Sequence, residues 1–181
     1  MRICSVDAES NGLHGQPFAI GAAVFEDGQE VDHFLNRCPI DGPVDGRVRL
    51  NVLPALDAAG IRETASTLGI MLKRFHGWLL DQAFEVPIIA HVAWPVGARL
   101  FELLWQDVED GRDPESGAMP YPLHDVASML WLVGEDPLSV EGYLAKHGIE
   151  LPAGNAHDPL FDARCAALVA TDLLGWAKEA V

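Results

Sequence analysis

The sequence predicts an α/β fold: a mixed sheet, with an antiparallel three-strand meander followed by parallel strands, flanked by helices. Two observations predict this fold. Apolar runs separated by turn residues fill the first 38 residues, and strand-like and helix-like segments alternate after them. The length of 181 residues suits one domain over residues 1–181.

The first three strands form the predicted meander. The run "MRICSVD" is typical of a buried strand, and the polar, glycine-containing "ESNGLHGQP" predicts a loop after it. The strand Phe18–Glu26 is joined to "QEVDHFLNRC" by a hairpin turn at Asp27 and Gly28. Residues 39–63 are rich in proline and glycine, which predicts a long loop with a short helix near "VLPALDAAG".

Helices and short strands alternate along the rest of the chain. Apolar spacing predicts helices at Thr64–Asp81 and from about Val96 to Asp107, with a buried strand at Val86–His91 between them. The acidic loop "EDGRDPESGAMP" precedes a strand-like "YPLHD" and the helix "VASMLWLVG". The helix "LSVEGYLAKHG" ends at Gly148, and a long helix runs from about Leu160 to Ala177.

Charge and cysteine content restrict the classes of function. The net charge of -15 argues against a protein that grips a long duplex by counterion release. Cys4, Cys38 and Cys165 lie far apart without a CxxC pair, which suits a reducing compartment and argues against a zinc knuckle. With no signal-like start and no run of about 18 apolar residues, we expect a cytoplasmic protein.

Asp7 and Glu9 stand at alternate positions where the first strand ends. Residues two apart in a strand share a face and lie about 7 Å apart, so their negative charges repel unless a cation sits between them. Oxygen ligands of this kind suit Mg²⁺ or Mn²⁺ better than zinc. Two acids at a strand end are, however, more often a solvated face than a metal site.

A second acidic feature lies at the start of the last helix. The inward face that begins at Asp162 continues at i+4, i+7 and i+11 through Ala166, Val169 and Leu173. A carboxylate on this face needs a partner, although the helix dipole alone would account for either Asp158 or Asp162. His157 lies five residues earlier, where it could reach the same cavity or serve as a surface or capping histidine.

Four segments together resemble the DEDD-type 3′-to-5′ exonuclease superfamily. They are "VDAESNGL", "FAIGAAVFEDGQE", "PIIAHVAWPVGARLF" and "LSVEGYLAKHGIELPAGNAHDPLFDARCAALVATDLL". The histidine branch of this superfamily (DEDDh) includes ribonuclease T, oligoribonuclease and the proofreading subunit of bacterial DNA polymerase. The resemblance runs nearly end to end, is most specific at HxxxxD before the final helix, and implies a ribonuclease H-like fold.

The resemblance implies a two-metal exonuclease that releases 5′-mononucleotides from single-stranded RNA or DNA 3′ ends. Asp7 would bridge both Mg²⁺ or Mn²⁺ ions, Glu9 and Asp162 would complete the first, and His157 would be the general base. The stretch that would contact the 3′-terminal nucleotide is Ser10, Asn11, Gly12 and Leu13. Several members are dimers, and either the apolar helix around Trp78 or the exposed loops could form a homodimer surface.

One part of the family pattern is missing. Aligning His91 with the histidine of "HNAxFDxxFL" places Pro95 at the phenylalanine and Val96 at the aspartate, which in the family acts mostly on the second metal. Another acid could replace it, and the candidates are Glu102, Asp107 and Asp125. Alternatively, His91 approaches the site, or the chain is a weakened or silenced module that binds nucleic acid or a protein partner.

Substrate contacts outside these motifs are also predicted. Trp94 follows the strand end at His91 and could stack a base, although tryptophan is more often a core residue. Arg47 and Arg49 in the long loop are candidate phosphate contacts. The acidity favours short single-stranded ends over duplex, and a metal-dependent phosphohydrolase for a small nucleotide remains a third class.

Overall fold

The sheet has five strands in the part of the chain that this computed structural model describes, residues 1–83, 85–109 and 122–179. Their spatial order is β3-β2-β1-β4-β5. The first three pair antiparallel, and β1, β4 and β5 are parallel, which confirms the predicted mixed sheet. The strands are β1 Arg2–Ser10, β2 Pro17–Glu26, β3 Gln29–Arg37, β4 Ile88–Ala90 and β5 Leu123–Asp125.

Helices pack on both faces of this sheet. They are α1 Leu53–Ala58, α2 Leu68–Gln82, α3 Ala98–Glu109, α4 Val126–Leu132, α5 Val140–His147 and α6 Pro159–Glu179. On one face, α1, α2 and α3 pack on β1 and β2 through side chains such as Phe18, Leu56 and Phe75. On the other face, α4, α5 and α6 pack on β1, β2 and β4 through Ile3, Phe25 and Ile89.

The structure shifts several predicted boundaries. The strand β1 continues through Glu9 and Ser10, where a loop was predicted, because both residues keep their pairing with β2. The helix α2 begins at Leu68, because the Thr67 side chain caps it by accepting the N–H of Ile70 at 3.3 Å. The predicted short helix in the long loop is confirmed as α1.

The boundaries of several later elements also differ from the predicted ones. The strand β4 covers only Ile88–Ala90, and α3 begins at Ala98 because Val92 is left-handed, with φ 50°, and an irregular turn spans Ala93–Gly97. Gly148, with φ 68°, ends α5 as expected. Residues 110–121 of the predicted acidic loop and strand lie outside the described residues.

Two further expectations concern cysteines and membranes. Cys4, Cys38 and Cys165 are buried free thiols. Among the described residues, no helix combines the length and apolar character needed to span a bilayer.

Trp78, on the helix considered as a candidate dimer surface, packs against Phe34 and Phe75 within the chain.

Candidate active site

Three carboxylates converge between the end of β1 and the start of α6. One oxygen from each of Asp7, Glu9 and Asp162 lies within 4.8 Å of the others. A glycine makes this approach feasible: Gly21 pairs with Asp7 in the sheet, and a Cβ there would collide with the backbone of Pro159 and Leu160. The absent side chain therefore lets the first turn of α6 come close to the strand that carries the other two acids.

Burial and mutual repulsion raise the pKa of all three carboxyl groups. Burial, followed by the charge of Asp162, raises the pKa of Glu9 to about 8. Burial is also the largest cause of the raised pKa of Asp7 and Asp162, followed by the charge of Glu9 in the first case and of Asp7 in the second. A divalent cation would offset this repulsion, and an all-carboxylate donor set fits Mg²⁺ or Mn²⁺.

His157 lies beside the three acids on a left-handed residue, with φ 68°. Its backbone N–H donates to Asp162 Oδ2 at 3.1 Å, and its Nδ1 lies 3.2 Å from Glu9 Oε1. Asp158 caps α6, since its Oδ1 accepts the N–H groups of Leu160 and Phe161. The capping role is thereby filled by Asp158, and Asp162 is left to face the other acids.

Two cavities open on either side of His157. One, of about 330 Å³, is lined by Asp7, Asp162, His91, Glu141 and His157 together with residues of the turn before α5. The other, of about 190 Å³, is lined by His157, Glu9, Gly12, Leu13, Arg47 and Val96, among others. The acids and the histidine thus stand between two spaces that a substrate could fill.

The predicted terminal-nucleotide loop follows β1 directly. Ser10 Oγ donates to the carbonyl of Gly12 at 2.7 Å, and Gly12 has φ 79°. The Asn11 side chain is engaged with the long loop, donating to Pro43 O and accepting the N–H of Asp45. Leu13 is 63% exposed and lines the smaller cavity.

None of the described stand-in acids fills the place that Val96 leaves. Asp125 instead caps α4, accepting the N–H groups of Ala127 and Ser128, and also accepts that of Ala93. Glu102 pairs with Arg99 at 2.6 Å. Neither acid lines the two cavities. The side chain of Asp107 lies outside the described residues.

Glu141, which the sequence did not single out, lines the larger cavity. It lies in the first turn of α5, and its charge contributes to the raised pKa of Asp162. An acid in a first helical turn is common because it complements the helix dipole. No local signal therefore marked this residue, and only the packing of α5 against α6 brings it to the site.

The remaining predicted contacts divide into two groups. His91 lines the larger cavity and hydrogen-bonds the carbonyl of Pro137 through Nε2 at 2.8 Å, so it is both a scaffold and a cavity wall. Trp94 is 73% exposed, so it is not a core residue. Arg47 reaches the smaller cavity and lowers the pKa of Glu9, whereas Arg49 hydrogen-bonds Val44 O and lines neither cavity.

Comparison with solved structures places the fold among exonucleases. The nuclease domain of 3′hExo, a DEDDh family member bound to rAMP, aligns with a TM-score of 0.70 over 96% of this chain and 92% of that chain, at 14% identity. Exonuclease X in complex with 5′ overhanging duplex DNA aligns with a TM-score of 0.64 over 98% and 92%, at 16% identity. S. pombe Pop2p in its Mg²⁺- and Mn²⁺-bound form aligns with a TM-score of 0.70 over 99% and 85%, at 13% identity.

These similarities concern the fold. No family model matches the sequence, and no curated protein is similar to it in sequence. The chain therefore has the ribonuclease H-like fold of DEDDh exonucleases, and the resemblance noted from its motifs is confirmed at that level.

Proposed function

We propose that this protein is a metal-dependent 3′-to-5′ exonuclease that shortens single-stranded nucleic acid ends and releases 5′-mononucleotides. The observation that carries the proposal is the convergence of Asp7, Glu9 and Asp162 within 4.8 Å, with His157 beside them. The shared fold of exonucleases supports it, and so does Pop2p, which binds Mg²⁺ and Mn²⁺.

The three carboxylates of Asp7, Glu9 and Asp162 would hold the metal ions. Divalent ions at such a site supply charge stabilisation for the attacking and leaving oxygens of a phosphodiester displacement. His157 would take a proton from the attacking water, whose oxygen forms a bond to phosphorus as the P–O3′ bond breaks. The shortened strand then leaves with a 3′-hydroxyl, and the phosphate stays on the released mononucleotide.

The smaller cavity would receive the 3′-terminal nucleotide. The left-handed Gly12 lets the backbone approach the sugar closely, Leu13 supplies an apolar wedge, and Arg47 provides a cation within reach of a phosphate. One cation suffices for a terminal phosphate that metal ions also hold. An acidic protein can therefore bind a short single-stranded end without the basic surface that a long duplex requires.

The assay follows 5′-labelled single-stranded RNA and DNA oligonucleotides with Mg²⁺, Mn²⁺ or a chelator. We expect shortening by single nucleotides with either ion, and a 5′-mononucleotide as the product. Asp162→Asn should remove the activity, whereas the matched control Asp81→Asn, an exposed acid on α2, should keep it. Activity that survives chelation, or no shortening above Asp162→Asn, would overturn the proposal.

The missing acid at Val96 favours one alternative function, a silenced module that binds nucleic acid without cutting it. This alternative predicts oligonucleotide binding by the wild type with no shortening under either metal. Calorimetric titration of Mn²⁺ separates the two functions further, because the module needs at most one weakly held ion.

Introducing an acid at position 96 should strengthen the binding of the second metal ion. Val96 lines the same cavity as Glu9 and His157, so a carboxylate there would face the site. We expect Val96→Asp to raise activity at limiting Mn²⁺ about tenfold, the lower range of what contacts beyond the direct ligands contribute. Val96→Asn is the matched control, since it is nearly the same size as aspartate and carries no charge.

Glu141→Gln is the companion variant, because Glu141 is the additional carboxylate of the larger cavity. Calorimetry should show weaker Mn²⁺ binding in Glu141→Gln, and part of this loss should be recovered when Val96→Asp is added. If Val96→Asp and Val96→Asn behave alike, the second ion does not depend on charge at this position.

A further inference from the structure

The side chain of Asn11 fastens the loop that follows β1 to the long loop after β3. Its Nδ2 donates to the carbonyl of Pro43 at 2.9 Å, and its Oδ1 accepts the N–H of Asp45 at 2.7 Å. These partners lie 32 and 34 residues further along the chain. A Cβ on Gly12 would lie 3.8 Å from Asp45 Oδ2, so the two loops also approach each other beside this amide. Both the donor and the acceptor of Asn11 therefore serve the join between the loops.

The side chain of Asp45 extends this join to Arg47. Asp45 Oδ1 accepts the N–H of Arg47 at 2.8 Å and that of Val48 at 3.2 Å. All three residues line the smaller cavity. The charge of Arg47 lowers the pKa of Glu9, so the guanidinium lies within electrostatic reach of the acids. Two consecutive side-chain hydrogen bonds thus connect Asn11 to the backbone of a cation at the site.

The backbone around Arg47 depends on contacts of this kind. Residues 38–45 join β3 to the turn at Arg47 without a helix or strand of their own. Side chains such as that of Asn11 therefore replace the ladder or helix that would otherwise fix their position. Because arginine has many rotamers, a fixed backbone reduces the volume that its guanidinium explores.

We propose that Asn11 is a positioning residue that acts through Asp45 to hold Arg47 against the phosphate of the terminal nucleotide. The proposal rests on the proposed exonuclease function, which supplies the phosphate. It changes the role of Asn11 from substrate contact to support of the residue that makes the contact. An arginine whose backbone is already fixed loses less freedom on binding, so the connection raises affinity without adding positive charge.

Amide hydrogen exchange followed by NMR tests the connection without nucleic acid. In Asn11→Ala, the amides of Asp45, Arg47 and Val48 should exchange about fivefold faster, the effect of losing one ordinary hydrogen bond. Asp45→Ala should speed exchange at Arg47 and Val48. Asp45→Asn should not, because it has the same charge as Asp45→Ala and keeps a side-chain acceptor. Unchanged exchange at Arg47 in Asn11→Ala would overturn the proposal.

Gln16 provides a matched control, because its amide makes the same kind of attachment at the other end of the loop. Its Nε2 donates to the carbonyl of Pro39 at 3.0 Å, and its Oε1 accepts the N–H of Asp41 at 2.9 Å. These partners precede the connection to Arg47, so Gln16→Ala should leave exchange at Arg47 unchanged. Equal effects of Gln16→Ala and Asn11→Ala would indicate general support of the loop and would contradict a specific role for Asn11.

The salt dependence of binding tests whether the connection serves a phosphate contact. The probe is a 5′-fluorescent oligothymidylate with a methylene group in place of the 3′-oxygen of its last linkage, which keeps its charge and cannot be cleaved with Mg²⁺ present. Loss of one phosphate contact lowers the slope of log affinity against log salt by about 0.7 for a single strand. We expect this loss in Arg47→Ala, part of it in Asn11→Ala, and none in the exposed control Arg62→Ala.

The double variant of Asn11→Ala and Arg47→Ala decides how the two residues are related. If Asn11 acts through Arg47, the double variant should bind as weakly as Arg47→Ala alone and show the same salt slope. Additive losses of affinity, or an unchanged slope in Asn11→Ala, would overturn the positioning role.

Failure of this proposal and failure of the proposed function give different results. A wild type that neither binds nor shortens oligonucleotides contradicts the exonuclease function, and the exchange rates still decide whether Asn11 holds Arg47. A wild type that shortens them, with additive effects of Asn11→Ala and Arg47→Ala on KM, contradicts the positioning role alone.

Discussion

Asp7→Asn should abolish nuclease activity and, in the absence of metal, stabilise the folded protein. Asp7 is the central acid of the site, and burial together with Glu9 raises its pKa to about 8. Removing it would lose several kcal/mol of charge stabilisation at the transition state. We therefore expect the rate to fall by at least about 1,000-fold, since each 1.4 kcal/mol is a factor of ten.

The stability effect has the opposite sign because the carboxylates repel one another in the metal-free fold. A carboxyl with a raised pKa stabilises the fold fully below its unfolded pKa of about 4, and this contribution is lost as the pH rises toward about 8. The wild type without metal should therefore lose stability between these values. In Asp7→Asn the decline should be smaller, with a melting temperature at pH 8 higher by several degrees, given about 2–4 °C per kcal/mol.

Scanning calorimetry with chelator or with Mn²⁺ measures both effects in one series. Mn²⁺ should raise the melting temperature of the wild type and of Asp81→Asn, but not that of Asp7→Asn. A metal-free Asp7→Asn protein that melts below the wild type at pH 8 would contradict the repulsion between the acids. If Mn²⁺ raised the melting temperature of Asp7→Asn as much as that of the wild type, the ion would bind elsewhere.

The convergence of the three proposed metal ligands could be predicted from sequence because they belong to short local patterns. Asp7 and Glu9 are two apart on one strand, and Asp162 begins the apolar face of a helix, so each had a periodic neighbourhood that fixed its direction. Gly21, which lets α6 approach β1, looked like an ordinary strand glycine. Its role depends on contact with Pro159 and Leu160, far away in the chain.

Residues that reach the site only through the packing of distant helices and turns were harder to predict. Glu141 reaches the site only through the packing of α5, and Val96 lies in the irregular turn that precedes α3. The predicted start of that helix at Val96 was wrong because the left-handed Val92 and the turn after it delay the helix to Ala98. Apolar periodicity reports the face of a helix better than its first residue.

His157→Gly should remove most of the activity while leaving the metal ligands in place. Glycine accepts the φ of 68° found at this position, and its backbone N–H can still donate to Asp162 Oδ2 as that of His157 does at 3.1 Å. The variant therefore deletes the imidazole with little disturbance of the start of α6. Loss of a general base lowers the rate by about 100-fold to 10,000-fold.

Free imidazole should restore part of this rate, because the His157 side chain is 39% exposed and its removal opens a space between two cavities. The rescue should grow with the concentration of the neutral base, whereas Asp7→Asn should show none. Calorimetric titration should give Mn²⁺ affinities for His157→Gly close to those of the wild type. If Mn²⁺ affinity falls in parallel with the rate and imidazole restores neither, His157 acts by positioning Glu9, to which its ring is hydrogen-bonded, and another group takes the proton.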